Sequence, residues 1–184
     1  NLLGFIPLPN NNNLTSNLVL SPVISNTSNT GDIRIDKHFG DRDQAFIRVS
    51  LQNPFTGSAN DYGNPGTYSN PPLTQRRQAG TAHNQFIYSP RILFEVAYGI
   101  IHQYGTRTAW SNGFDITTLG FAPNFAAGQQ VKAIPYITIG GFSGIGNSSQ
   151  NYSAQVNHTL LASMIASIGR HTLKTGIDFR AYFI

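Results

Sequence analysis

Residues 151–184 constrain the fold most, because their side chains alternate between apolar and polar over two long segments joined by a short turn at 168–171. A period of two residues is that of an extended strand with two different faces. Leu161 interrupts the polar face of the first segment. The apolar faces consist of Tyr152, Ala154, Val156, His158, Leu160, Ala162 and Met164 in the first segment and of Leu173, Thr175, Ile177, Phe179, Ala181 and Phe183 in the second.

Both segments exceed the length of an ordinary globular strand, which is about five or six residues. Strands of about ten residues, with an apolar face for lipid and a polar face for water, are typical of transmembrane β-barrels. The alternation therefore predicts an all-β chain that crosses a membrane with strands.

The same alternation recurs upstream in two further hairpins. One spans 32–52 with a polar turn at 40–43, and the other spans 76–104 with a turn at 89–91. Short turns between alternating segments indicate antiparallel pairing. Together with the final pair, these hairpins predict about six strands.

The remaining segments lack long alternation and are predicted as loops. They are residues 1–30, 53–74 and 105–150, which are rich in Asn, Gly, Pro, Ser and Tyr. Loops of such length are uncommon in compact domains and are usually functional or disordered. Three local elements are predicted inside them: a strand over Leu18–Ile24 interrupted by Pro22, a short helical turn over 115–121 and a local strand over 134–142.

Connection lengths alternate along the predicted strands. Outer-membrane barrels have short periplasmic turns on one side and long extracellular loops on the other, whereas a soluble β-sandwich imposes no such alternation. The fold class is therefore predicted as an antiparallel up-and-down meander, part of a transmembrane outer-membrane β-barrel. The turns at 40–43, 89–91 and 167–171 are predicted to be periplasmic, and the loops at 53–74 and 105–150 extracellular.

Composition agrees with this class. Charged residues make up 11% of the chain, against about 25% in ordinary soluble domains. The absence of cysteine excludes a disulfide scaffold. No apolar run approaches the roughly 18 residues of a membrane-spanning helix. Basic residues are scattered, which predicts no nucleic-acid partner.

No pattern for catalysis or for a cofactor is present. The five histidines are not paired at metal-ligand spacing, and no nucleophile accompanies a base and an orienting group. The glycines over 140–146 precede no helical pattern, so they predict a flexible loop rather than a phosphate cradle. We therefore expect no catalytic residue, no metal, no cofactor and no enzyme activity.

Two sets of residues are candidates for a function in the membrane. Charged side chains on the polar faces could line a lumen, and tyrosines near strand ends could form an interfacial girdle. The solvated face of a soluble sheet and the β-propensity of aromatic residues would produce the same patterns. The candidate lumen residues are Arg34, Asp36, Arg48, Glu95, Lys174, Asp178 and Arg180, and the candidate interface aromatics are Tyr88, Tyr98, Tyr104, Tyr152 and Tyr182.

Three stretches resemble the barrel region of Oar-like TonB-dependent receptors. The segment Asp32–Asp43, followed by Phe46-Ile47-Arg48, is similar to the "R-x-D-H-x-F-x-x-x-D" hairpin of that family. Residues 134–146 and the segment Gly169–Arg180 are similar to two later stretches. The resemblance covers roughly residues 30–184, in the order in which the family shows these stretches.

The resemblance implies a segment of an outer-membrane barrel of about 22 strands, in the outer membrane of a Gram-negative bacterium. Its partners would be outer-membrane lipid, the TonB complex through an N-terminal part with the plug, and an unknown ligand such as a peptide or a carbohydrate. That ligand would be taken up or exported. Because the chain opens without an initiator Met or a signal peptide, we expect an internal fragment. Residues 1–30 would be a loop with a partial strand, and 31–184 the partial barrel.

Two alternatives fit the same sequence patterns. One is a small self-contained outer-membrane barrel acting as a pore or an anchor, with eight strands if Leu18–Ile24 and Tyr136–Gly140 are counted. The other is a secreted β-rich adhesin or carbohydrate-binding module. Since six strands that do not close leave two unpaired edges, we expect that the isolated chain is not a stable, functional unit.

Overall fold

The computed structural model describes residues 2–184 and shows a six-stranded sheet in the order β1-β2-β3-β4-β5-β6. The predicted all-β antiparallel meander is confirmed. None of the helices among residues 2–184 is both long and apolar enough to span a membrane. The strands are Asn26–His38 (β1), Asp43–Thr56 (β2), Leu73–Ser89 (β3), Ile92–Arg107 (β4), Asn151–Ile168 (β5) and His171–Phe183 (β6), and the helical turns are Leu2–Phe5, Ile116–Leu119 and Pro123–Gly128 (α1).

The strands are long, and their turns are short. The shortest strands have 13 residues and the longest has 18, more than the roughly 9–11 residues that cross a bilayer. The turn between β5 and β6 has two residues, and Gly169 has a φ of 61°. A glycine with positive φ at the first position is the signature of a type II′ hairpin turn. This turn sets the register, in which Ile168 pairs with His171 and Leu160 with Phe179.

Several predicted boundaries were wrong. β1 begins at Asn26 rather than near residue 32, and β2 continues to Thr56, so the first long loop is 57–72. The second long loop is 108–150. The helical turn predicted over 115–121 is confirmed at Ile116–Leu119.

Neither of the two extra local strands is present. Leu18–Ile24 has no regular structure, and the 134–142 segment forms only an isolated bridge between Ile137 and Ile145. An eight-strand count that uses these segments is therefore wrong for the described residues.

The chain forms two compact units. The sheet unit comprises Ser28–Pro54, Gln75–Gly105 and Ser153–Ile184. The loop unit comprises the described residues up to Thr27, together with Phe55–Thr74 and Thr106–Tyr152. Among residues 2–184, the buried apolar side chains belong to the loop unit except for one. They are Tyr62, Pro71, Ala109, Ile116, Ala133, Ile134 and Ile145 in the loop unit and Ala166 in the sheet unit.

Candidate functional site

The sheet unit is inside out: its apolar side chains are exposed, whereas a water-soluble sheet buries them. Along β4, Phe94, Val96 and Tyr98 are exposed, whereas Glu95 and Ala97 between them are half-buried. On β6 the apolar Ile177 is 70% exposed. Burial of apolar surface is the main driving force of folding in water. An apolar face that is exposed over several strands therefore indicates a surface that contacts something other than water.

Charged side chains on the opposite face form ion pairs. Arg34 binds Asp36 at 2.7 Å, two residues further along β1. In β6, Arg180 binds Asp178 at 2.8 Å with the same spacing. Both pairs are about half exposed, so water screens them and they contribute little to stability. Their importance lies in holding charge on one face of the sheet.

A third ion pair joins two strands. Arg48 on β2 binds Asp32 on β1 at 2.8 Å, and the hydroxyl of Ser50 also donates to Asp32. Sequence reasoning included Arg48 among the lumen candidates but missed Asp32. The available signal was that Asp32 shares a face with Arg34 and Asp36.

Aromatic rings extend this polar face over a third strand. The guanidinium carbon of Arg34 lies 3.9 Å from the centre of the Phe46 ring, a cation–π contact. Phe46 in turn stacks on His83 of β3 with centroids 5.0 Å apart and planes at 18°. Neither ring was among the sequence candidates, although Phe46 lies two residues from Arg48 on the same face.

Glu95 and Lys174 complete the predicted charged set, and both line a cavity of about 450 Å³ on the same face. The hydroxyl of Ser163 donates to Glu95 over 3.3 Å. Within residues 2–184, neither Glu95 nor Lys174 has an opposite charge within 4.0 Å. Of the seven lumen candidates, the structure thus pairs Arg34, Asp36, Arg48, Asp178 and Arg180 and leaves these two without an ion pair.

Three of the predicted interface tyrosines lie along β3 and β4. Tyr88, near the end of β3, packs edge-on against Phe94 with centroids 6.3 Å apart. Tyr98, near the middle of β4, makes a 2.7 Å hydrogen bond with Nδ1 of His158. Tyr104 lies near the end of β4, with its ring 6.3 Å from that of His102.

The other two tyrosines differ from each other. Tyr152 is the second residue of β5 and is 71% exposed. Tyr182 pairs with Asn157 in the β5–β6 register and shares a face with Arg180 and Asp178, which lie two and four residues earlier on β6. It therefore lies on the charged face, near the end of β6.

The loop unit has a small apolar core of its own. Ile116, Ile134 and Ile145 are fully buried and pack against side chains from the N-terminal segment, including Phe5. The buried hydroxyl of Ser111 accepts the backbone N–H of Ile134 at 2.9 Å. The second long loop is therefore folded around a packed centre.

Hydrogen bonds tie the segments of the loop unit together. The Tyr62 hydroxyl donates to the carbonyl of Gly144 at 2.9 Å, and Asn64 donates to the carbonyl of Phe5 at 3.0 Å. The N–H of Gly146 donates to Gly66 at 2.7 Å. Within the loop expected over 140–146 to be flexible, Ile145 and Gly146 are buried, whereas residues 140–143 are exposed. Burial raises the pKa of the Tyr62 hydroxyl.

The short helix at Ile116–Leu119 is capped at both ends. Asp115 accepts the N–H of Thr117 at 2.9 Å and its hydroxyl at 2.8 Å. These bonds, the hydroxyl first, lower the pKa of the Asp115 carboxyl. Gly120 closes the turn in the left-handed region, with a φ of 94°, as is common at helix ends.

The family comparison agrees with the inside-out sheet. A family model described as an outer membrane beta barrel domain matches residues 1–184. The chain belongs to this family. No curated protein matches the chain, and no solved structure matches it.

Membership accounts for the arrangement of the two faces. Outer-membrane barrels carry an apolar band towards lipid and a polar interior, with alternation along each strand. The protein resides in the outer membrane of a Gram-negative bacterium, as predicted. A secreted module that is soluble on both faces does not fit this family.

Proposed function

We propose that the full-length protein is an Oar-like TonB-dependent receptor that carries a ligand across the outer membrane, by uptake or by export. One observation carries the proposal: the six described strands form an inside-out sheet in which β1 and β6 are edges. Unpaired backbone groups are untenable in lipid. In the proposed receptor, further strands would close the barrel, and a barrel larger than about eight strands has room for a pathway or a plug.

The charged face is proposed as the wall of that pathway. The long side chains of Arg34, Arg48 and Arg180 are about half exposed even though each is paired, so open space lies in front of them. The apolar face would contact outer-membrane lipid. Tyr88, Tyr104 and Tyr152 lie near strand ends, where an aromatic girdle forms in barrels of this kind.

The loop unit is proposed as the first surface that meets the ligand. Rigid loops that present tyrosine and asparagine side chains bind at a lower entropic cost than disordered ones. A cavity of about 470 Å³ between the N-terminal segment and residues 141–143 offers one such surface. The ligand class proposed from the sequence is a peptide or a carbohydrate, with no catalytic step and no nucleic-acid partner.

Energy coupling is the part of the proposal that needs a direct test. The full-length gene product, carrying an affinity tag, is purified from cross-linked cells and probed for TonB. We expect TonB to copurify with it and not with a tagged porin of the same membrane. Absence of TonB from a preparation that shows heat-modifiable gel migration, and hence a folded barrel, would refute the energy coupling and leave a passive pore or an anchor.

A further inference from the structure

Of the four carboxylates on the charged face, Glu95 alone has no arginine partner within residues 2–184. The carboxylates of Asp32, Asp36 and Asp178 are each bound by an arginine. Arg77, a further cation of this face, bonds the amide oxygens of Gln52 and Gln75. Pairing of this kind is the ordinary state of charges that face one another on a sheet.

Glu95 and Lys174 depart from that state. They have opposite charges and line the same cavity, yet no ion pair joins them within residues 2–184. Glu95 receives only the neutral hydroxyl of Ser163, which leaves its charge uncompensated. A carboxylate and an ammonium that share a cavity without touching are complementary to a ligand that carries both charges.

Small residues create the space between these two side chains. Ala97 and Gly176 line the cavity, and neither has a side chain long enough to fill it. A Cβ at Gly176 would overlap the carbonyl oxygen of Ala162 on β5. The cavity volume of about 450 Å³ lies within the roughly 300–1,000 Å³ of small-ligand sites.

We propose that this cavity binds a zwitterionic ligand of the size of an amino acid or a short peptide. The ammonium group of the ligand lies against Glu95, with Ser163 beside it, and the carboxylate of the ligand accepts from Lys174. Both contacts are charge-assisted hydrogen bonds, which are the stronger kind. The proposal rests on the proposed function in one respect: the charged face must be open to solutes passing through the barrel.

The test is equilibrium binding of trialanine to the purified full-length protein in detergent. N-acetyl trialanine lacks the cationic end, and trialanine amide lacks the anionic end. We expect each blocked peptide to bind about tenfold or more weakly, because it loses one charge-assisted hydrogen bond.

Two variants assign the ends of the peptide. Lys174→Met is expected to bind trialanine and its amide equally, and Glu95→Gln to bind trialanine and its N-acetyl form equally. Lys37→Met and Asp41→Asn, which remove the same charges from residues outside the cavity, are matched controls that keep the wild-type preference. Heat-modifiable migration verifies that each variant is folded.

Two outcomes would overturn the proposal: trialanine fails to bind the folded wild-type protein, or the blocked peptides bind as well as the free one. Neither outcome bears on copurification of TonB, which tests the energy coupling separately. A binding site confirmed in a protein that does not copurify with TonB would belong to a passive pore.

Discussion

Replacing Ile177 with arginine distinguishes a lipid-facing surface from a water-facing one. Ile177 is 70% exposed and lies six residues along β6 from its first residue, His171. At about 3.3 Å per residue this is about 20 Å along the strand, and a tilt of about 45° reduces it to about 14 Å in depth. That depth is near the middle of an apolar band about 25 Å tall.

The two environments predict different costs for Ile177→Arg. Arginine near the midplane of the lipid face of a barrel costs about 2–4 kcal/mol. An exposed position in water usually changes the free energy of unfolding by no more than about 0.5 kcal/mol. The matched control is Leu161→Arg on the charged face, where the register partner is Asp178. We expect this control to be close to neutral.

The assay is guanidinium unfolding of the full-length protein in phospholipid vesicles, with the folded fraction measured by heat-modifiable gel migration. Ile177→Arg should lower the free energy of unfolding by about 2–4 kcal/mol and Leu161→Arg by much less. Equal effects of the two substitutions, or a larger effect of Leu161→Arg, would refute the assignment of the apolar face to lipid.

Three further predictions concern the loops and turns. Because the chain has no cysteine, single introduced cysteines report topology. A membrane-impermeant maleimide should label Thr138→Cys in intact cells and Arg170→Cys only after permeabilisation. The reverse pattern of labelling would invert the proposed orientation. Gly146→Ala should destabilise the loop unit, because the φ of Gly146 is 76° and a Cβ there would overlap the carbonyl oxygen of Pro135. We expect faster proteolytic cleavage within 108–150, with heat-modifiable gel migration unchanged. The folded pKa of Asp115 is lowered, so its contribution is present above the unfolded pKa of about 4 and is lost as pH falls through the lower folded value. The protection factor of the Thr117 amide against hydrogen exchange should therefore fall in acid, and Asp115→Asn, which removes this titration, should abolish that fall.

The sheet could be predicted because its pattern is local. Alternation at a period of two is visible in 151–184 without any knowledge of contacts. The start of β1 could not be predicted in this way, because Asn26–Gly31 contains no apolar residue to alternate. Those residues are extended because they pair with β2, and the N–H of Gly57 donates to Ser25 just beyond the end of the pairing. For residues 26–31, pairing with β2 outweighs a weak intrinsic propensity for strand.

For the candidate site too, contacts between residues close in sequence could be predicted and contacts between distant residues could not. Arg34 with Asp36 and Arg180 with Asp178 are two residues apart on one face, so their pairing follows from the strand period. Asp32 was missed, because its bond to Arg48 depends on the register between two strands. The loops and the helical turn at Ile116–Leu119 were predicted, but their packing into one unit was not, because its bonds join residues far apart in the chain, such as the Tyr62 hydroxyl and Gly144.

The long-range bonding of the loop unit has an immunological consequence. Tyr62, Asn64 and Gly146 bring the N-terminal segment and both long loops into one folded surface. An epitope on that surface is discontinuous, composed of short stretches from three parts of the chain. Antisera raised against a peptide of 57–72 alone should bind the denatured protein and fail on intact cells. An antibody that binds this surface on intact cells should lose its epitope when any one of the three segments is altered.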